Sequence, residues 1–129
     1  MALLIETTVD VAAAVTDAVV AAYTARRDTV RVMPVSDLVA GTVAADLSAV
    51  NAVVSADQRV AEIVVDDGVD LEQLAASAWA LAGRGWDLIV LVPCDRIGDA
   101  HSSLRAAPCL LQPWWSDSDG IWFGAMETP

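Results

Sequence analysis

The sequence predicts a three-layer α/β fold: a mostly parallel sheet of flavodoxin- or Rossmann-like topology, sandwiched by helices and ending in an antiparallel C-terminal β-hairpin. Three observations carry this expectation. Short β-branched runs alternate with longer segments of helical periodicity, the pattern of βαβ units joined by right-handed crossovers. One run, Leu88-Ile89-Val90-Leu91-Val92, has no polar residue, as in a central parallel strand covered on both faces. Near the C-terminus two apolar runs flank Ser116-Asp117-Ser118-Asp119-Gly120, a polar turn ending in Asp-Gly.

Leu3 to Ile5 reads as a short buried strand, and Glu6-Thr7-Thr8 after it offers helix-capping oxygens. A helix follows from Asp10 to about Arg27. Its Val11, Val15, Ala18, Val19, Ala22 and Tyr23 recur at helical spacing, and Arg26 and Arg27 stand where the helix dipole favours cations. Thr29 to Val35 alternates Val30, Val32 and Val35 and reads as a strand that Pro34 stops near Met33. Leu38 to Ala56 mixes alanine and valine in no single period; it is read as a helix from about Val43 to Ser55, with a strand over Val50 to Val54 as the rival. Val60 to Val65 is β-branched and ends in the turn Asp66-Asp67-Gly68, giving a further strand. Asp70 caps a helix carrying Leu71, Leu74, Ala75, Ala78 and Ala82, which Gly83-Arg84-Gly85 stops. After the strand Asp87 to Val92, closed by Pro93, a short helix fits Asp95 to Ala106. The hairpin arms are Cys109 to Trp115 and Gly120 to Met126, and Pro113 assigns its strand to a sheet edge or a bulge.

The chain has 129 residues, 56% hydrophobic and 19% charged, which suits a single domain spanning 1–129. No repeat, linker or low-complexity tract divides it. Seven basic residues, all arginine, against 18 acidic ones give a net charge of −11, so phosphate backbones and anionic bilayers are repelled. Neither nucleic acid nor a membrane is an expected partner. The absence of lysine removes a Walker-type phosphate lysine, a Schiff base and a receiver-domain lysine. His101 stands alone, which excludes zinc sites built on two histidines. Cys94 and Cys109 form no disulfide framework or CxxC motif, no basic leader opens the chain, and the apolar stretch Val9 to Ala25 is broken by Asp10, Thr16, Asp17 and Thr24. A reducing cytoplasm is the expected compartment.

Ligands of open α/β sheets sit beyond the carboxyl ends of the strands, so the residues after each strand are the candidates. These are Glu6-Thr7-Thr8, Ser36-Asp37, Asp66-Asp67-Gly68 and Cys94-Asp95-Arg96. Glu6, Asp66, Asp67 and Asp95 on one rim could hold a magnesium ion; the same residues also serve as ordinary caps and turns. Thr7, Thr8 and Arg96 are the candidate ligand-binding groups. A flavin loop would alternate hydroxyls with glycine, whereas Thr7-Thr8-Val9-Asp10 lacks the glycine and adds a carboxylate. No glycine-rich nucleotide fingerprint occurs, and no cofactor is implied. Cys94, Asp95 and His101 form a catalytic candidate, with Cys94 as nucleophile and His101 as base. A cysteine phosphatase loop would need arginine at position 100, where Ala100 stands, and a strand-end cysteine also works as a buried filler.

Of five tryptophans, Trp114, Trp115 and Trp122 crowd the C-terminal hairpin beside Phe123. Adjacent strand residues point to opposite faces, so an uncovered face leaves one of Trp114 and Trp115 exposed. Exposed aromatics anchor protein interfaces; the competing role is to close the core, together with Trp79 or Trp86. The reading is a non-catalytic interaction module, a homodimer or the partner of another protein, docking through Pro113, Trp114, Trp115 and Trp122. The alternative is a small hydrolase, phosphoryl-transfer enzyme or small-molecule sensor with its site at the strand ends.

Overall fold

The structure is a computed structural model that describes residues 11–38, 50–55 and 57–129. Strands β1 (Arg31–Pro34), β2 (Asn51–Ser55), β3 (Val60–Val64), β4 (Asp87–Pro93), β5 (Leu110–Asp117) and β6 (Gly120–Phe123) form one open sheet in sequence order. The pairs β3/β4 and β4/β5 are parallel, whereas β1/β2, β2/β3 and β5/β6 are antiparallel. The sheet is therefore mixed, with a parallel centre and antiparallel flanks, which corrects the mostly parallel expectation. The helix expected from Val43 to Ser55 is also corrected, because Asn51 to Ser55 is β2. Two partner strands override the helical preference of an alanine-rich segment. Residues 57–59 form a turn with Arg59 at a φ of 56°, Ser55 pairs with Val60 in the register, and so short a link joins only antiparallel neighbours. The strand expected at Leu3–Ile5 and the start of the doubtful segment, 39–49, lie outside the described residues.

The helices are α1 (Val11–Ala25), the one-turn α2 (Val35–Leu38), α3 (Leu71–Gly83) and α4 (Ile97–Ser103), with a 3-10 turn at Cys94–Arg96 before α4. Asp70 caps α3: its carboxylate accepts from the N–H of Glu72 at 3.0 Å and of Gln73 at 3.3 Å, an interaction worth about 1 kcal/mol. Both crossovers, β3-α3-β4 and β4-α4-β5, step the same way across the sheet. Right-handed crossovers then place both helices on one face. That face holds the larger core, where Leu71, Leu74, Ala78 and Leu81 of α3 and Ala100 of α4 meet Ile63, Val90, Val92 and Leu111. The opposite face is covered by α1, whose Val15, Val19 and Tyr23 pack on Val53, Val64, Leu91 and Trp114. No helix among the described residues is long and apolar enough to cross a membrane.

Pro113 determines how the sheet ends. The Gly124 N–H donates to the Pro113 carbonyl at 2.8 Å, but Pro113 has no N–H to return. The side-chain amide of Gln112 supplies the missing donor, giving its Nε2 hydrogen to the Gly124 carbonyl at 2.9 Å. Pairing shifts at this point from Trp114 opposite Phe123 to Leu111 opposite Glu127, which leaves one extra residue on the outer strand. This is the bulge that the proline implied. Gly124 is obligatory there, since a Cβ would stand 2.7 Å from Cγ of the Pro113 ring. Gly124→Ala is expected to cost about 1–3 kcal/mol, the range of overpacking, and to lower the urea midpoint without changing the m value.

Candidate functional site

The carboxyl ends of the parallel strands frame a cavity of about 370 Å³. Asp66 and Asp67 follow β3, Cys94 and Asp95 follow β4, and Trp114 to Ser116 of β5 complete the wall with Val11 and Pro93. Three of the four rim carboxylates expected from the sequence thus share one cavity; Glu6, with Thr7 and Thr8, lies outside the described residues. Their present partners are structural. One oxygen of Asp66 accepts the Gly68 N–H at 2.8 Å and forms the turn, while Nη1 of Arg96 donates to the Asp66 carbonyl at 2.8 Å. Among the described residues no three acidic, histidine or cysteine side chains stand close enough together to hold a metal ion. Cys94 is exposed. His101 is not turned to it: Nε2 of the imidazole contacts the Glu127 carboxylate, tying α4 to the end of the chain.

The hairpin separates its tryptophans by strand parity. Trp114 faces α1, is 7% exposed and donates its indole N–H to the Val65 carbonyl at 3.3 Å. It is a core residue, which corrects its assignment to an interface. Trp115 and Trp122 face the other way, directly opposite each other in the register, 42% and 47% exposed. Asp117 fixes this end of the hairpin. Its carboxylate accepts the Asp119 N–H at 2.8 Å and the Gly120 N–H at 3.1 Å, where Gly120 turns at a φ of 142°. The nearby Trp122 indole first, and the two backbone donors with it, hold the Asp117 pKa below the ordinary range. Gly124 lies between the side chains of Pro113 and Trp115, both within 4 Å of where its Cβ would stand. Neither of the other tryptophans joins the hairpin core: Trp79 is exposed on α3, and Trp86 stacks under the Arg59 guanidinium at 4.3 Å.

A second cavity, of about 220 Å³, opens on the α1 face and has no counterpart in the sequence reading. Glu62 stands at its floor in the middle of β3, 8% exposed, on a face where neighbouring strand residues Val53, Val64 and Leu91 are apolar. Above it are Tyr23 and Arg26, spaced i and i+3 on α1, with the guanidinium 4.5 Å over the phenol ring. Val19, Ile89, Phe123 and Met126 supply apolar wall, and Gln112 adds an amide. Burial raises the Glu62 pKa, opposed by the Tyr23 hydroxyl as donor and by the charge of Arg26. Tyr23 is raised as well, by burial first and by Glu62 second. A charged residue inside an apolar strand was the available signal, and Tyr23 with Arg26 at helical spacing was the other.

No protein-family model, curated protein or solved structure matches this chain.

Two measurements follow from this geometry. Because the folded state raises the Glu62 pKa, the neutral acid is the better-accommodated form. Its contribution to stability is full below the ordinary glutamate value of 4.5 and lost as pH rises through the higher folded value. Glu62→Gln should therefore gain stability relative to the unaltered chain as pH climbs from 4.5 towards neutrality, read as a growing difference in Tm; a constant difference would contradict it. For the thiols, burial pushes Cys109 up to about 11, leaving on the order of a thousandth of it as thiolate at pH 8. A chromogenic disulfide reagent should react with one thiol fast and one slowly, and Cys94→Ser should abolish the fast phase.

Proposed function

We propose that the chain is a protein-interaction module that docks through the outer face of its C-terminal hairpin, with a second copy as the partner. The observation that carries this reading is the pair Trp115 and Trp122, set side by side across β5 and β6 and each more than two-fifths exposed. Two large aromatic surfaces held on a rigid ladder are the kind of anchor that binding interfaces concentrate on. A two-fold arrangement would bring each pair onto the same surface of the other copy. Trp114 has no part in it.

The enzymatic alternative draws on the cavity formed by Asp66, Asp67, Cys94 and Asp95. It is the weaker reading, since His101 is committed to Glu127 and the carboxylates are not gathered about one point. Kinship with flavodoxin-like or Rossmann-like folds is likewise a proposal. It is supported by the βαβαβ unit from β3 to β5, although the six described strands run in sequence order with no reversal. A cytoplasmic setting for the module is proposed from its two free thiols.

Sedimentation equilibrium of the unaltered chain beside Trp115→Ala and Trp122→Ala tests the proposal, with circular dichroism confirming that both variants fold. A concentration-dependent dimer is expected, with association weakened by at least tenfold in either variant, as loss of an aromatic anchor does. A monomer at every concentration, or a dimer indifferent to both substitutions, overturns it.

A further inference from the structure

The cavity under α1 is built differently from an ordinary gap in a core. Its floor is a carboxyl group that the fold has placed where the strand pattern calls for an apolar side chain, and a buried carboxyl costs stability unless something answers its charge. Among the described residues no cation lies within ion-pair distance of Glu62. Arg26, the nearest one facing it, rests on the Tyr23 ring at 4.5 Å and pairs with Asp28 at 3.6 Å. Its side chain is 59% exposed, so it stands at the mouth while Glu62 stands at the floor. The cavity thus carries an acceptor within, a cation at the rim and an apolar wall between them. Its volume of about 220 Å³ is smaller than the ~300–1,000 Å³ of pockets for drug-sized ligands, so its occupant is a small molecule and not a nucleotide.

We propose that this cavity binds a small zwitterion with an apolar body, an α-amino acid in chemical class. The ammonium group takes the Glu62 carboxylate, the carboxylate of the ligand takes the Arg26 guanidinium, and the hydrocarbon side chain lies against Val19, Ile89, Phe123 and Met126. Tyr23, which shares the cavity wall, favours the ionised Glu62 carboxylate beside the ligand. The groups facing Glu62 from α1 are Tyr23 and Arg26; those from β4, β5 and β6 that line the cavity, Ile89, Gln112 and Phe123, do not titrate. Arrival of an ammonium therefore favours the ionised form of Glu62, so binding is linked to proton release from a carboxyl whose pKa burial raises.

Isothermal titration calorimetry of the full chain tests this with four probes: L-leucine, L-phenylalanine, isoamylamine without the carboxylate and isovalerate without the amine. The amino acids are expected to bind, and each single-charge probe more weakly. Repeating the titration in two buffers of different ionisation enthalpy should show net proton release. Glu62→Gln should abolish that release, and both it and Arg26→Gln should weaken binding tenfold or more, as loss of a charge-assisted contact does. Ala22→Phe alters only an exposed helix position at the cavity wall, so it should block entry in a folded protein. Absence of binding by all four probes at millimolar concentration overturns the proposal. So does binding that Glu62→Gln and Ala22→Phe leave unchanged, or isoamylamine binding as tightly as L-leucine.

Discussion

Two adjacent parallel pairings, β3 with β4 and β4 with β5, constrain the rest of the molecule. A parallel pair cannot be closed by a turn, so each needs a crossover, and two crossovers stepping in one direction must share a face. That face receives α3 and α4 and with them the larger core. The other face has to be covered by something outside the βαβαβ unit, and α1 is the helix that does so. A helix about 10 Å across cannot blanket strands spaced about 4.8 Å apart over the whole sheet. The Glu62 cavity opens where that cover thins, beside the last turn of α1. On the helical side α4 ends at Ser103, and the hairpin tryptophans Trp115 and Trp122 remain half exposed.

Much of this was legible in the chain because the signals are local. Asp70 before a helical stripe, the apolar run at Leu88 to Val92 and the Asp-Gly turn of the hairpin each specify their element within a few residues. β2 was not legible in this way. Its two valines and one alanine satisfy helix and strand equally, and only pairing with β1 and β3 decides between them. The turn at Asp57 to Arg59 held the missing information: once β2 is a strand, that link makes it antiparallel to β3 and ends the parallel run. Sheet composition was thus written in a loop length, not in a propensity.

The candidate sites divide along the same line. Strand-end residues Asp66, Asp67, Cys94 and Asp95 could be listed from the sequence because the end of a parallel strand is a place defined by chain direction. Glu62 could not. A single acid in a strand reads as a solvent-facing residue until the helix above it is known, and α1 is remote in sequence. Trp114 shows the converse. Nothing local distinguishes it from Trp115; the position of α1 alone makes one indole core and leaves the other to solvent.

The proline at the end of the sheet has a further effect. Because Pro113 cannot donate, the strand beside it bulges at Gly124, and the ladder on β6 is only four residues long before it deviates. An incoming β-strand would find few aligned donors and acceptors along this border, and a local twist where the next should be. Accretion of strands onto β6, the route to fibres and exchanged hairpins, is curtailed there. A protein with two exposed indoles on its terminal hairpin and 56% hydrophobic residues would otherwise carry a standing hazard of aggregation at that edge. The bulge removes this border as a template for strand addition and leaves the broad side of the hairpin for the self-association proposed above.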